Sequence, residues 1–150
     1  MRIFHGIDEL ERAVGSHVGH SPWREITQER IDLFAAATDD HQWIHVDAER
    51  AATGPYGATI AHGFLTLSLV SAMVWEVYTV TGISAGINYG ADRVRFPAPV
   101  RVGSRVRAGV ELRSLTPISA GYQLASTVTV ELEGSAKPAC VVESLSVLVP

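Results

Sequence analysis

Residues 63–80, "GFLTLSLVSAMVWEVYTV", form the most apolar run in the chain. The run approaches the length of the shortest bilayer spans, so a membrane reading has to be tested first. Thr66, Ser68, Ser71 and Glu76 interrupt it and neither flank is basic, which argues against insertion. A helix apolar on nearly every side belongs inside a protein, and Gly63 to Val80 is therefore expected to be a buried central helix. From Ile83 onward the pattern changes. "ISAGINYGADRVRF", "RVRAGVELRSL", "YQLASTVTVEL" and "ACVVESLSVLV" carry β-branched residues in partial alternation between Pro and Gly punctuation, and read as four strands. Upstream, "SPWREI" reads as a short extended piece. Thr27 is placed to cap a helix through "QERIDLFAAAT", with Glu29 in its first turn and an end near Asp39. "DAERAAT" adds one or two helical turns before the "GPYG" loop. Helices first and strands after, without β–α–β alternation, give an α+β fold: an antiparallel sheet packed around one buried helix.

The bulk properties agree with such a fold. At 150 residues and 47% hydrophobic, the chain closes one core without metal or disulfides, and no repeat, low-complexity tract or linker divides it, so residues 1–150 are expected to be one domain. A net charge of −4 and a pI near 5.8 exclude a dedicated polyanion binder, and neither nucleic acid nor membrane is expected as a partner. The single cysteine, Cys140, lies inside an apolar run and reads as a core residue rather than a reactive thiol, which fits a reducing cytoplasm. "MRIFHGIDELERAVGS" has acidic residues where a secretory signal needs a basic end and an apolar run, so no export segment is expected.

The chemistry concentrates just ahead of the apolar run, in "DDHQWIHVDAER", Asp39 to Arg50. Asp40 and His45 are five apart, so they diverge by roughly 140° on a helix and face opposite ways in a regular strand. Only an irregular bend, between the end of one helix and an extended "WIHVD", aims both into one cleft, where a carboxylate and a neutral imidazole share a water. The alternative is that Asp40 accepts backbone N–H groups in a turn and His45 is a satisfied core histidine. His41 and His45 have the spacing of a His-x-x-x-His metal site, but that spacing converges only on a helix, and "QWIHV" has the composition of an extended piece. No metal is expected, and His41 is expected to be exposed or to cap the turn. "AHG" falls at the start of the apolar helix. Gly63 has no side chain to block a ligand there, and its unpaired amide suits a carbonyl oxygen that gains negative charge. Ser71, two turns further on, needs a partner if buried; the alternative is a bond back to the carbonyl of Leu67.

"TDDHQWIHVD" together with "TIAHGFLTLSLVSAMV" resembles the MaoC-like dehydratases, the family of R-specific enoyl-CoA hydratases. The likeness is nearest to the nodulation-protein-N-like branch, which also tends to have "INYG" and "VRFPAPV", here at Ile87–Gly90 and Val94–Val100. It spans the chain from about "SPWREIT" to the C-terminal strands. The resemblance implies the hot-dog fold, a sheet wrapped around a long helix, and a homodimer with tunnels near the subunit interface. It places the family's acid–base pair on Asp40 and His45, its backbone donor to the thioester oxygen on Gly63 and its active-site serine on Ser71. Ile60, Ala61 and His62 beside Gly63, and Gly86, Ile87, Asn88 and Tyr89, become candidates to line the substrate tunnel. For the second group the alternative is that Gly86 and Gly90 serve sheet curvature while Asn88 bonds to a turn. The family's usual Asn-Pro is Gln42-Trp43 here, a departure that bears on acyl-chain preference more than on chemistry. The implied reaction is reversible hydration of trans-2-enoyl-CoA to R-3-hydroxyacyl-CoA, with no cofactor beyond the substrate's own coenzyme A. The rivals are a hot-dog thioesterase and a non-catalytic acyl-CoA-binding module.

Overall fold

The computed structural model describes residues 1–150. In chain order the elements are strand β1 (Arg2–His5), helix α1 (Ile7–Arg12), strands β2 (His17–His20) and β3 (Arg24–Glu25), and helices α2 (Gln28–Thr38), α3 (Trp43–Val46), α4 (Ala48–Ala52) and α5 (Gly63–Val77). Strands β4 (Tyr78–Thr81), β5 (Ala85–Arg95), β6 (Arg105–Ile118), β7 (Gly121–Leu132) and β8 (Cys140–Val149) follow. The four expected C-terminal strands are all present. They form an antiparallel sheet in the order β2-β6-β7-β8-β5, with β3 also paired to β6.

Alternation along the strands decides which face meets α5. In β7, Leu124, Ser126, Val128 and Val130 are buried and the residues between them are not. In α5 the buried stripe is Leu65, Leu69, Met73 and Val77, one residue every fourth position. These side chains join Val106, Val110, Leu112, Val128, Val130 and Val142 in one core. Each fully buried aliphatic side chain contributes about 1.5–3 kcal/mol, so this contact between helix and sheet is the main source of stability. Cys140 is part of the core at 0% exposure, and burial pushes its thiol up to about 11.

Two expectations for the central helix need correction. The helix stops at Val77 rather than Val80, because Tyr78 turns extended (φ −149, ψ 162) and "YTVT" becomes β4. Its partner is β1, which pairs with it in parallel from Arg2↔Tyr78 to His5↔Thr81. Phe4, fully buried, packs edge-on against Tyr78 with ring centroids 5.7 Å apart. Nor is the helix covered all round. Phe64, Ser68, Ser71 and Trp75 form an exposed stripe, with Phe64 68% and Trp75 51% exposed. No helix is long and apolar enough to cross a membrane.

β5 is the outer strand beside β8, and its side chains are largely exposed. Between Asn88 and Gly90 the register slips by one residue, so Tyr89 has no partner in the ladder, and Gly90 takes φ 158.

Candidate active site

The segment from Thr38 to Gly63 is irregular, and side-chain bonds to the backbone set its path. Thr27 caps α2 as expected, its hydroxyl accepting from the Arg30 N–H at 3.3 Å. The helix ends at Asp39 in the left-handed conformation (φ 59), which a short polar side chain tolerates. That reversal turns the chain into Asp40, whose carboxylate accepts from the Gln42 N–H at 3.4 Å. The next residues depart from expectation. "WIHV" is one turn of helix, α3, rather than an extended piece. Strand composition loses here to tertiary anchors: Ile44 C=O accepts from the Ile60 N–H at 3.0 Å, and His45 C=O accepts from Gln28 Nε2 at 2.8 Å. Asp47 then caps α4, accepting from the Arg50 N–H at 3.0 Å.

His45 is 6% exposed, and its Nδ1 lies 2.7 Å from the Ile60 carbonyl oxygen. A carbonyl only accepts, so Nδ1 carries a proton, and in the neutral ring the free lone pair is on Nε2. Burial holds the His45 pKa below the ordinary value of 6.5, opposed by the bond to Ile60 and assisted by His62 beside it. Exposed Asp40 stands close by: a carboxylate oxygen of Asp40 and one ring nitrogen each of His45 and His62 all lie within 4.8 Å of one another. His41 is exposed and outside this group.

His45 opens onto a cavity of about 320 Å³ lined also by Ile44, Tyr56, Ile60, Ala61, Gly63, Thr66 and Phe96. Gly63 is the first residue of α5, so its N–H belongs to the turn of amides the helix itself leaves unpaired. The Phe96 ring lies against it, and a Cβ at Gly63 would stand 3.0 Å from that ring. His62, 3% exposed, does not line the cavity; it stands behind His45.

Ser71 and "GINY" go elsewhere. A second cavity, about 130 Å³, is lined by Ser71, Trp75, Gly86, Ile87 and Asn88 among others, and it shares no residue with the first. Eight residues of helix, about 12 Å, separate Ser71 from Gly63. Ser71 is exposed and makes no bond to Leu67; the back-bond in this helix is Ser68 Oγ to the Phe64 carbonyl at 2.7 Å. Gly86 admits the Trp75 ring, which would lie 3.2 Å from a Cβ there. Tyr89, at the register slip and 67% exposed, lines neither cavity.

Residue types alone did not single out Gln28, Thr59 or Phe96. Gln28 accepts from the Thr59 hydroxyl while donating to the His45 carbonyl, so one amide joins α2, α3 and the loop before α5. A neutral amide in a helix's first turn is the only local sign of such a bracket. Phe96 was visible only as part of "VRFPAPV".

The family model described as "MaoC like domain" matches residues 9–134. The chain belongs to the MaoC-like dehydratase family. It is 56% identical over 146 residues to "3-hydroxyacyl-thioester dehydratase Z" of Mycobacterium tuberculosis (strain ATCC 25618 / H37Rv), covering 97% of each protein. It is 47% identical over 147 residues to "Nodulation protein N" of Rhizobium leguminosarum bv. viciae, covering 93% of this chain and 89% of that one. Among solved structures, the unliganded R-hydratase PhaJ1 from Pseudomonas aeruginosa superimposes with a TM-score of 0.75 at 27% identity, over 91% of this chain and 81% of that one. The family, its nodulation-protein-N-like affinity and the hot-dog fold thus agree with the motifs, and this MaoC-like dehydratase carries that fold's antiparallel sheet packed on a long helix.

Proposed function

We propose that the protein catalyses reversible hydration of a trans-2-enoyl-CoA to an R-3-hydroxyacyl-CoA. The observation that carries this reading is the Asp40 carboxylate beside the buried His45, whose Nδ1 is held by the Ile60 carbonyl and which lines a cavity that also reaches the amide end of α5. A water held between Asp40 and His45 attacks C3 while the pair takes one of its protons. The π electrons shift toward C2 and the thioester carbonyl, and the pair returns a proton to C2 on the same face. Oxygen and hydrogen of one water are thereby added across the double bond. The Gly63 N–H stabilises the negative charge that builds on the thioester oxygen, an effect worth about 10²- to 10³-fold, beside about 10²- to 10⁴-fold from acid–base transfer.

The same reading takes residues 1–150 as one domain, needs no cofactor beyond the substrate's coenzyme A, and fits a cytoplasmic setting in which one buried thiol stays reduced. It assigns a homodimer, supported by the exposed apolar side chains of Phe64 and Trp75 on α5 and Ile87 and Tyr89 on the outer strand. In the dimer, Ser71, Gly86, Ile87 and Asn88 are assigned to the acyl-binding wall. Asp40→Asn tests the central assignment: hydration falls at least a hundredfold, about the lower bound for acid–base loss, with the melting temperature unchanged. A folded Asp40→Asn protein that hydrates at close to the wild-type rate would sink the proposal.

A further inference from the structure

Behind the reacting pair, His62 is tied to both of its members. Its Nε2 lies 2.9 Å from the backbone carbonyl oxygen of Asp40, and its ring stacks on that of His45 with centroids 3.8 Å apart and planes 23° from parallel. Phe34 from α2 packs on the same ring at 4.9 Å. The Asp40 carbonyl can only accept, so Nε2 of His62 carries the proton. The other nitrogen, Nδ1, is enclosed and has no hydrogen-bond partner. A proton placed there instead would find no acceptor, so the geometry favours the tautomer with its proton on Nε2.

We infer that His62 is a positioning residue for the hydration proposed above: a spacer whose Nε2–H fixes the Asp40 turn and whose ring face fixes His45. The enclosed lone pair is what this arrangement costs, and no packing need accounts for it, because a hydrocarbon side chain would fill the same space without it. A structural histidine that merely closed the start of α5 would cap the helix, and His62, at the N-cap, makes no side-chain bond to the helix amides. Its bond goes instead to the residue carrying the carboxylate.

The inference rests on the hydratase reading, so wild-type hydration of an enoyl-CoA is measured first. His62→Phe keeps a ring on His45 and removes the bond to Asp40; His62→Gln keeps a donor and removes the ring. His62→Phe is expected to lose about a hundredfold in kcat with KM little changed, the usual cost of a displacement near 1 Å. His62→Gln is expected to recover much of that kcat. In both, the loss falls on kcat rather than on KM. The other groups facing His45 are unchanged: Asp40 from the turn after α2, the Ile60 carbonyl, and Tyr56 across the cavity. Nitrogen NMR of histidine-labelled wild type provides a reading that does not depend on a variant folding. His62 should carry its proton on Nε2, the nitrogen that faces the Asp40 carbonyl. Unchanged kcat in both variants, a His62→Gln that recovers none of the kcat lost in His62→Phe, or a His62 whose proton sits on Nδ1 would overturn the inference while leaving the hydratase reading intact. A wild type that does not hydrate enoyl-CoA would overturn both.

Discussion

The sheet formed by β6, β7 and β8 and the segment from Thr38 to Gly63 hold their shapes by different means. In the sheet the strands pair along long ladders, and alternate side chains such as Val106, Val110, Leu112 and Val128 are essentially removed from water. The site segment contains only two short helices, and a handful of long-range bonds define it: Gln28 to His45 C=O, His45 Nδ1 to Ile60 C=O, and His62 Nε2 to Asp40 C=O. On the proposed function, stability therefore resides mainly in one region and reactivity in the other. A substitution in the sheet should lower the population of folded molecules without changing what each does, whereas one in the segment should change the chemistry far more than the fold.

The largest effect expected is at His45. His45→Asn keeps an N–H for the Ile60 carbonyl but removes the basic nitrogen, and kcat is expected to fall about 10²- to 10⁴-fold in steady-state assays. The melting temperature should barely move; a large drop would break the division between the regions. Leu112→Ala is the converse, with an expected loss of about 2–5 kcal/mol in urea unfolding and an unchanged kcat per folded molecule. Gln28→Leu falls between, because it strands the His45 carbonyl and the Thr59 hydroxyl. About 1–3 kcal/mol should be lost together with part of kcat, and a loss of stability alone would show that the bracket does not position His45. The smallest effect is on pH dependence. Burial lowers the His45 pKa, so the base remains neutral and active below pH 6.5, and the acid limb of kcat/KM should have its midpoint below that value. A midpoint at or above 6.5 would mean that His45 is solvated, or that another group limits the rate.

Legibility in the sequence divides along the same line. The four long strands, the Thr27 cap and the end of α2 at Asp39 followed from alternation and capping, because those signals lie within a few residues of what they specify. β1 and β4 did not, since each has four residues and is defined by a partner at the other end of more than seventy residues of chain. The misreading of "WIHV" has the same origin. Its composition suits a strand, and the bonds from Ile60 and Gln28 that wind it into a turn come from elsewhere. Asp40, His45 and Gly63 could be singled out because their motifs have fixed spacing. That Ser71 lies on a different cavity from His45 is a matter of which side of α5 faces the sheet, and the nearly unbroken apolarity of residues 63–80 conceals that phase.

The most direct test uses purified protein and a short trans-2-enoyl-CoA, following the ultraviolet absorbance of the conjugated thioester while assaying free thiol in the same sample. The absorbance should fall with no thiol released, and chiral analysis should find the R-3-hydroxyacyl product. Thiol release would contradict the account in favour of a thioesterase, and no change in either signal across short and long acyl chains would contradict it in favour of a binding module.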